Sequence, residues 1–159
     1  MTTAKVVWDM IVALLHAGGA AVRLDATKAP AIWLELPPGS FSHAAMPVIV
    51  VERPDEGDLV ELDNKRQRQE LTVQFWFIVQ GGASVELMRD AEERACLLRQ
   101  KVRVYLSSIP NLHLAYLGVL GGFIDWKPGR RDDARIIANN CPLVGMALVV
   151  PVITYTGEA

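Results

Sequence analysis

The sequence predicts a single α+β domain over residues 1–159: an antiparallel or mixed β-sheet, two main helices packed on one face, and a protruding charged β-hairpin. Three observations carry this expectation. Residues 70–80 (ELTVQFWFIVQ) alternate, with Leu71, Val73, Phe75, Phe77 and Val79 on one face and Glu70, Thr72, Gln74, Trp76 and Ile78 on the other, the period of a β-strand with one wholly apolar face. Beyond Gly81-Gly82, apolar residues recur at Met88, Ala91, Ala95, Leu98, Val102, Tyr105 and Ile109 in alternating steps of three and four, which keeps them on one stripe of a helix. A shorter stripe near the N-terminus, Val7, Met10, Ile11, Leu14 and Leu15, marks a second amphipathic helix.

Taken in order, the first helix spans residues 3–17, capped by Thr3 and stopped by Gly18-Gly19, and should pack beside the long helix. Residues 22–24 and 31–36 are short strand candidates, the latter closed by Pro37-Pro38-Gly39, and residues 40–45 are loop. The β-branched run 46–53 (MPVIVVER) is too short for a helix, ends at Pro54, and should lie inside the sheet.

Residues 52–63 then carry six acids, Glu52, Asp55, Glu56, Asp58, Glu61 and Asp63, and Lys65, Arg66 and Arg68 follow at once. The sign reverses within one expected hairpin. It reads either as a solvated hairpin whose arms pair their own charges or as an arm that contacts a neighbouring subunit. Leu59, Val60 and Leu62 set it apart from a disordered charged linker.

The strand of residues 70–80 comes next, followed by the long helix, for which Ser84 is the N-cap. Each large stripe residue contributes about 1.5–3 kcal/mol when buried, against about 0.2–0.5 kcal/mol for each exposed pair such as Arg89 with Glu93 or Asp90 with Arg94. Packing on the sheet therefore decides the fold. Pro110-Asn111 turns the chain into residues 113–127, read as a strand with a glycine-rich bend. Residues 128–133 (PGRRDD) form an exposed turn, residues 134–138 resume pairing, and residues 143–156 make a last long strand, which Pro151 confines to an edge or a bulge at that point.

The whole-chain properties bound the function. A formal charge of −2 gives no footprint for wrapping a duplex or holding an anionic membrane. At 51% apolar residues the chain holds more hydrophobes than a monomer of this size needs, which points to oligomerisation. Cys96, in the long helix, and Cys141, expected in a loop, lack metal or redox spacing, so free thiols in a reducing compartment are expected. The apolar stretch 10–15 is preceded by Trp8 and Asp9, against a signal peptide, and residues 143–153 are too few to span a bilayer.

Catalytic and ligand-binding patterns are absent from the sequence. His16, His43 and His113 belong to no HExxH or other ligand spacing, so no metal is expected. The segment 82–86 (GASVE) lacks the second glycine of a nucleophile elbow, and Ser84 is explained as a cap. The segment 118–122 (GVLGG) does not match GxGxxG. Trp76, Trp126, Arg130 and Arg131 are scattered aromatics and paired charges, read as core and solvated turn and not as a nucleic-acid surface. The expectation is a protein that is not an enzyme and holds no cofactor.

The succession of a short helix, a proline-bounded VIVVERP strand, a charged hairpin, the LTVQFWFIV strand, Gly-Gly, one long helix and closing strands resembles the tail terminator (tail completion) proteins of long-tailed bacteriophages. The resemblance is one of element order and character over residues 5–156. It implies a homo-oligomer, a hexameric ring that caps the finished tail tube, ends its polymerisation and forms the joint to the head connector. It implies the tail tube protein and head-tail connector proteins as partners, DNA passing through the ring without sequence-specific binding, no membrane, and residence in the host cytoplasm and then in the virion. The candidate interface residues are Asp55, Glu56, Asp58, Leu59, Val60, Leu62, Lys65, Arg66 and Arg68 on the hairpin, with Arg130 and Arg131 on the PGRRDD turn. A different class, a non-catalytic α+β binding module or small enzyme subunit, shares the same architecture.

Overall fold

The computed structural model describes residues 3–25, 27–35, 46–63, 66–107, 135–138 and 141–155. The expected strand at 113–127, the PGRRDD turn with Arg130 and Arg131, Lys65, Ile109, His43 and His113 lie outside them, as do the side chains of Thr3, Leu62 and Arg66. Two helices, α1 (Thr3–Ala17) and α2 (Val85–Ser107), accompany strands β1 (Ala31–Trp33), β2 (Val48–Val51), β3 (Asp55–Asp63), β4 (Arg66–Ile78), β5 (Arg135–Ala138) and β6 (Cys141–Tyr155). The sheet runs β1-β2-β4-β6-β5, with β3 also paired to β4. Strand β1 is parallel to β2 and the other pairs are antiparallel, so the sheet is mixed and the class is α+β as the sequence predicts.

Strand β4 organises the molecule. Its whole length pairs with β6, from Arg66↔Tyr155 to Ile78↔Leu143. Along its other side lie β2, opposite Phe75–Ile78 by register, and then β3, opposite residues 66–72. Glu52 N–H donates to the Gln74 carbonyl at 2.9 Å, so β2 runs on toward β3 until Arg53-Pro54 interrupts it.

The alternation of β4 sorts its side chains as expected. Leu71, Val73, Phe75 and Phe77 are buried with Ile49 and Val51 of β2 and Met146, Leu148 and Val150 of β6 in one cluster. Onto that face pack Ala4, Val7, Ile11 and Leu15 of α1 and Leu98, Val102 and Leu106 of α2. The α2 stripe follows the predicted positions: Ala91, Ala95, Leu98 and Val102 are buried, Met88 and Tyr105 half-buried. The Tyr105 hydroxyl donates to the Leu14 carbonyl at 2.8 Å, joining the helices, and Trp8 Nε1 donates to the Val51 carbonyl at 3.0 Å, joining α1 to the sheet. Of the expected i,i+4 pairs on α2, neither Arg89–Glu93 nor Asp90–Arg94 is closed, in keeping with the small energy such exposed pairs carry.

The opposite sheet face differs from expectation at one end. The alternation assigns Trp76 and Ile78 to the more polar face, yet both are buried with Met46, Val48, Val50, Cys141 and Leu143 in a second cluster. Strand β2 is consequently buried on both faces, which is what its unbroken VIVV demands. Trp76 Nε1 donates to Glu52 Oε1 at 3.1 Å, so its polar edge is satisfied.

Four further expectations are corrected. The strand expected at 22–24 is absent. Gly19, at φ +56°, turns the chain into a 3-10 turn over Gly19–Val22 instead, and Val22 is buried in the main cluster. Strand β1 is three residues long and ends at Trp33, where its pairing with Val50 ends. Cys141 is not in a loop but opens β6, fully buried. Strand β4 begins at Arg66, four residues earlier than the apolar alternation, because pairing with β3 and β6 holds its polar half. Past Val144 the outer side of β6 has no partner strand among the described residues, and on its inner side Pro151 is in register with Glu70 of β4.

Candidate subunit interface on the arm

The charged hairpin is part of a three-stranded arm. Residues 66–72 of β4 lie between β3 and the 149–155 half of β6, which makes the arm a continuation of the main sheet. Its register slips twice, between Glu56 and Leu59 and between Glu61 and Asp63, each slip adding one residue to β3. Gly57 sits in the first slip, where a Cβ would lie 2.8 Å from the Glu70 carbonyl oxygen, and Gln69 Nε2 donates to the Gly57 carbonyl at 2.8 Å. The close approach explains why glycine occupies this position.

Cross-strand neighbours share a sheet face. On the face away from the helices, Asp55 lies opposite Thr72 and Val60 opposite Arg68, and Asp63 is paired in register with Arg66. Gly57, Asp58, Val60, Arg68 and Glu70 line an open cleft there of about 380 Å³. Arg68 Nη2 donates to Glu70 Oε1 at 3.3 Å, an ion pair along β4 itself, both side chains over two-fifths exposed. At that exposure the pair contributes no more than ~1 kcal/mol. On the helix side, Glu56 lies opposite Leu71, Leu59 opposite Gln69 and Glu61 opposite Gln67.

Of the three hairpin bases, only the Arg68 side chain is among the described ones. Asp63 meets Arg66 in register, but Arg68 is directed to Glu70, and the acids of β3 divide between the two faces. Among the predicted interface residues, Asp55, Glu56, Asp58, Leu59 and Val60 are all exposed, Leu59 at 59% and Val60 at 55%. The structure brings these together with Arg68 on one arm.

One feature escaped the sequence pattern. The solvent side of α2 carries Leu97, 54% exposed, and Val104, 62% exposed, two turns apart on one side of the helix. From Arg94 to the end of α2 the helix holds Arg94, Arg99, Lys101 and Arg103 and no acid. Arg99 Nη1 donates to the Gly145 carbonyl at 3.2 Å and Lys101 Nζ to the Arg23 carbonyl at 2.7 Å, which fixes two of these cations against the body of the domain. A count of bases after the buried stripe had been placed would have found this run.

Among the described residues no three His, Cys, Asp or Glu side chains are grouped to hold a metal ion, and no helix is long and apolar enough to cross a membrane. Ser84 Oγ accepts the Leu87 N–H at 3.1 Å, the cap the sequence predicts. No protein-family model matches the chain, and no curated protein matches it with significance.

Proposed function

We propose that the chain is a structural virion protein that caps a phage tail tube as a hexameric ring, ends tail growth and forms the joint to the head connector. The observation that carries the reading is the three-stranded arm: an extension of the sheet with Leu59 and Val60 more than half exposed on its outer strand. An edge strand that served only to stay in solution would place polar residues there. The order of elements behind the resemblance supports the same reading: α1, the proline-bounded β2, the β3–β4 pair, Gly-Gly, one long α2 and closing strands. Ring formation needs two different complementary surfaces on each subunit, since a head-to-tail contact closes by rotation.

The test is the mass of the protein alone and on cognate tail tubes. An assembly of six times the 17.5 kDa chain, free or bound at a tube end, is expected. A monomer that leaves tube ends bare would favour an α+β binding module or enzyme subunit.

A further inference from the structure

We infer that β3 has two registers on β4, one residue apart, and that the slip at Gly57 is the switch between them. The inference stands on the ladder of the arm and does not depend on the ring reading. In the observed register Leu59, Val60 and Glu61 lie opposite Gln69, Arg68 and Gln67. If the first slip closes, the pairing of Asp55 with Thr72 and Glu56 with Leu71 runs on unbroken. Gly57 then meets Glu70, and Asp58, Leu59 and Val60 come opposite Gln69, Arg68 and Gln67. Both extra residues of β3 then lie beyond Val60.

The two registers contain the same kinds of cross-strand pair: an apolar residue on the arginine, an apolar residue on one glutamine and an acid on the other. Cross-strand pairs and the burial of one face are what specify a register. Here the pairs match, and Asp58, Leu59, Val60 and Glu61 are all exposed, so the core holds none of them in place. The Arg68–Glu70 ion pair runs along β4 itself and is kept in both registers. A shift of one residue moves every side chain of the segment to the other face, so Leu59 and Val60 exchange sides.

What selects the observed register is local to the slip. Residue 57 has no Cβ to meet the Glu70 carbonyl oxygen, which would stand 2.8 Å from one, and Gln69 Nε2 donates to the Gly57 carbonyl at 2.8 Å in an exposed bond. Closing the slip gives up that bond and puts residue 57 in an ordinary strand pair, where a side chain is tolerated. Whatever touches one face of the arm shifts the balance between the registers, which makes the slip a conformational switch.

Two cysteine pairs, each built into the full chain, read the register. Glu61→Cys with Gln67→Cys sets the sulfurs across the observed ladder, and Val60→Cys with Gln67→Cys sets them across the shifted one. Opposed Cβ atoms are about 4.5–5.5 Å apart, which a small movement brings within bridging range, whereas neighbours along a strand point to opposite faces. The initial rate of linkage in a glutathione redox buffer is followed by mass spectrometry with peptide mapping. With Gly57 in place, the shifted-register pair should close at about 0.1–10% of the rate of the observed-register pair, the share of a minor state. Gly57→Ala should reverse the order of the two rates. Gln69→Ala should raise the relative rate of the shifted-register pair by about 2–10-fold, the net worth of one hydrogen bond. An observed-register pair that stays the faster in Gly57→Ala overturns the inference, as does an unchanged ratio in Gln69→Ala. A Gly57→Ala chain in which neither pair closes faster than in urea overturns it too, because that chain has no second register to take.

Discussion

Replacing Leu98 by alanine tests whether α2 is held by burial of its stripe. Leu98 is completely buried, in one cluster with Val73, Phe75 and Phe77 of β4 and Ile11 of α1. The change deletes three carbons; at about 0.8 kcal/mol per buried methylene, transfer alone accounts for roughly 2.4 kcal/mol. The cavity adds to this, because the surrounding strand residues are tied in a continuous ladder and relax only in part, which places the expected loss at about 3–5 kcal/mol. Against a total stability of about 5–15 kcal/mol, that is a large fraction. Urea unfolding followed by circular dichroism, at one low protein concentration for all variants, should show a lower midpoint with the slope unchanged. The neighbouring Leu97→Ala, on the solvent side, should cost no more than ~0.5 kcal/mol in the same assay. A loss under ~0.5 kcal/mol for Leu98→Ala, or equal losses for the two leucines, would refute the packing of α2 described above.

Gly57→Ala should destabilise by about 1–3 kcal/mol, since its Cβ would stand 2.8 Å from a backbone oxygen of β4; an unchanged melting curve would show that the slip can open. Cys96 packs near Val79, Ala91, Ala95 and Val144, whereas Cys141 is buried with Trp76 and Ile78 on the other sheet face. Both should therefore react with an alkylating agent after denaturation without reductant, and a Cys96–Cys141 linkage by mass spectrometry would contradict that placement. The Thr27 backbone N–H and then its hydroxyl, both donating to Asp25, hold the Asp25 carboxyl below its ordinary 3.8. A depressed folded pKa means a stabilisation present above the unfolded value and lost as pH falls through the folded one. An NMR titration should place the Asp25 midpoint below 3.8 in wild type and move it part of the way toward 3.8 in Thr27→Ala, which keeps the backbone N–H; an unmoved midpoint would count against the hydroxyl bond.

The parts of the fold that were legible in the sequence are those where period and burial agree. Leu98 and Val102 of the stripe share one core with Leu71, Val73, Phe75 and Phe77 of β4, and Ala91 and Ala95 pack with Val79 just beyond that strand, so the two periodicities located both elements and their contact. Boundaries were legible where proline marks them, as Pro54 does between β2 and β3, and less so where backbone chemistry overrides side-chain pattern, as where Gly19 supplies a positive φ that bends 19–22 into a turn. The third strand of the arm could not be read, because Arg68 and Ile153 are paired across 85 positions and nothing local records that register. The site was half legible. The reversal of charge between β3 and β4 marked the arm, but a sequence cannot show which face of a strand an acid occupies once two register slips intervene. The exposed Leu97 and Val104 of α2 were passed over because the buried stripe already explained the helix, although their spacing of seven residues is local and readable.

The central claim is tested most directly by polymerising the cognate tail tube protein in the presence and absence of this protein and measuring tube lengths by electron microscopy. Tubes grown with the protein should be shorter, of narrow length distribution, and capped at one end by a six-fold ring. Equal length distributions and bare ends in both preparations would contradict it.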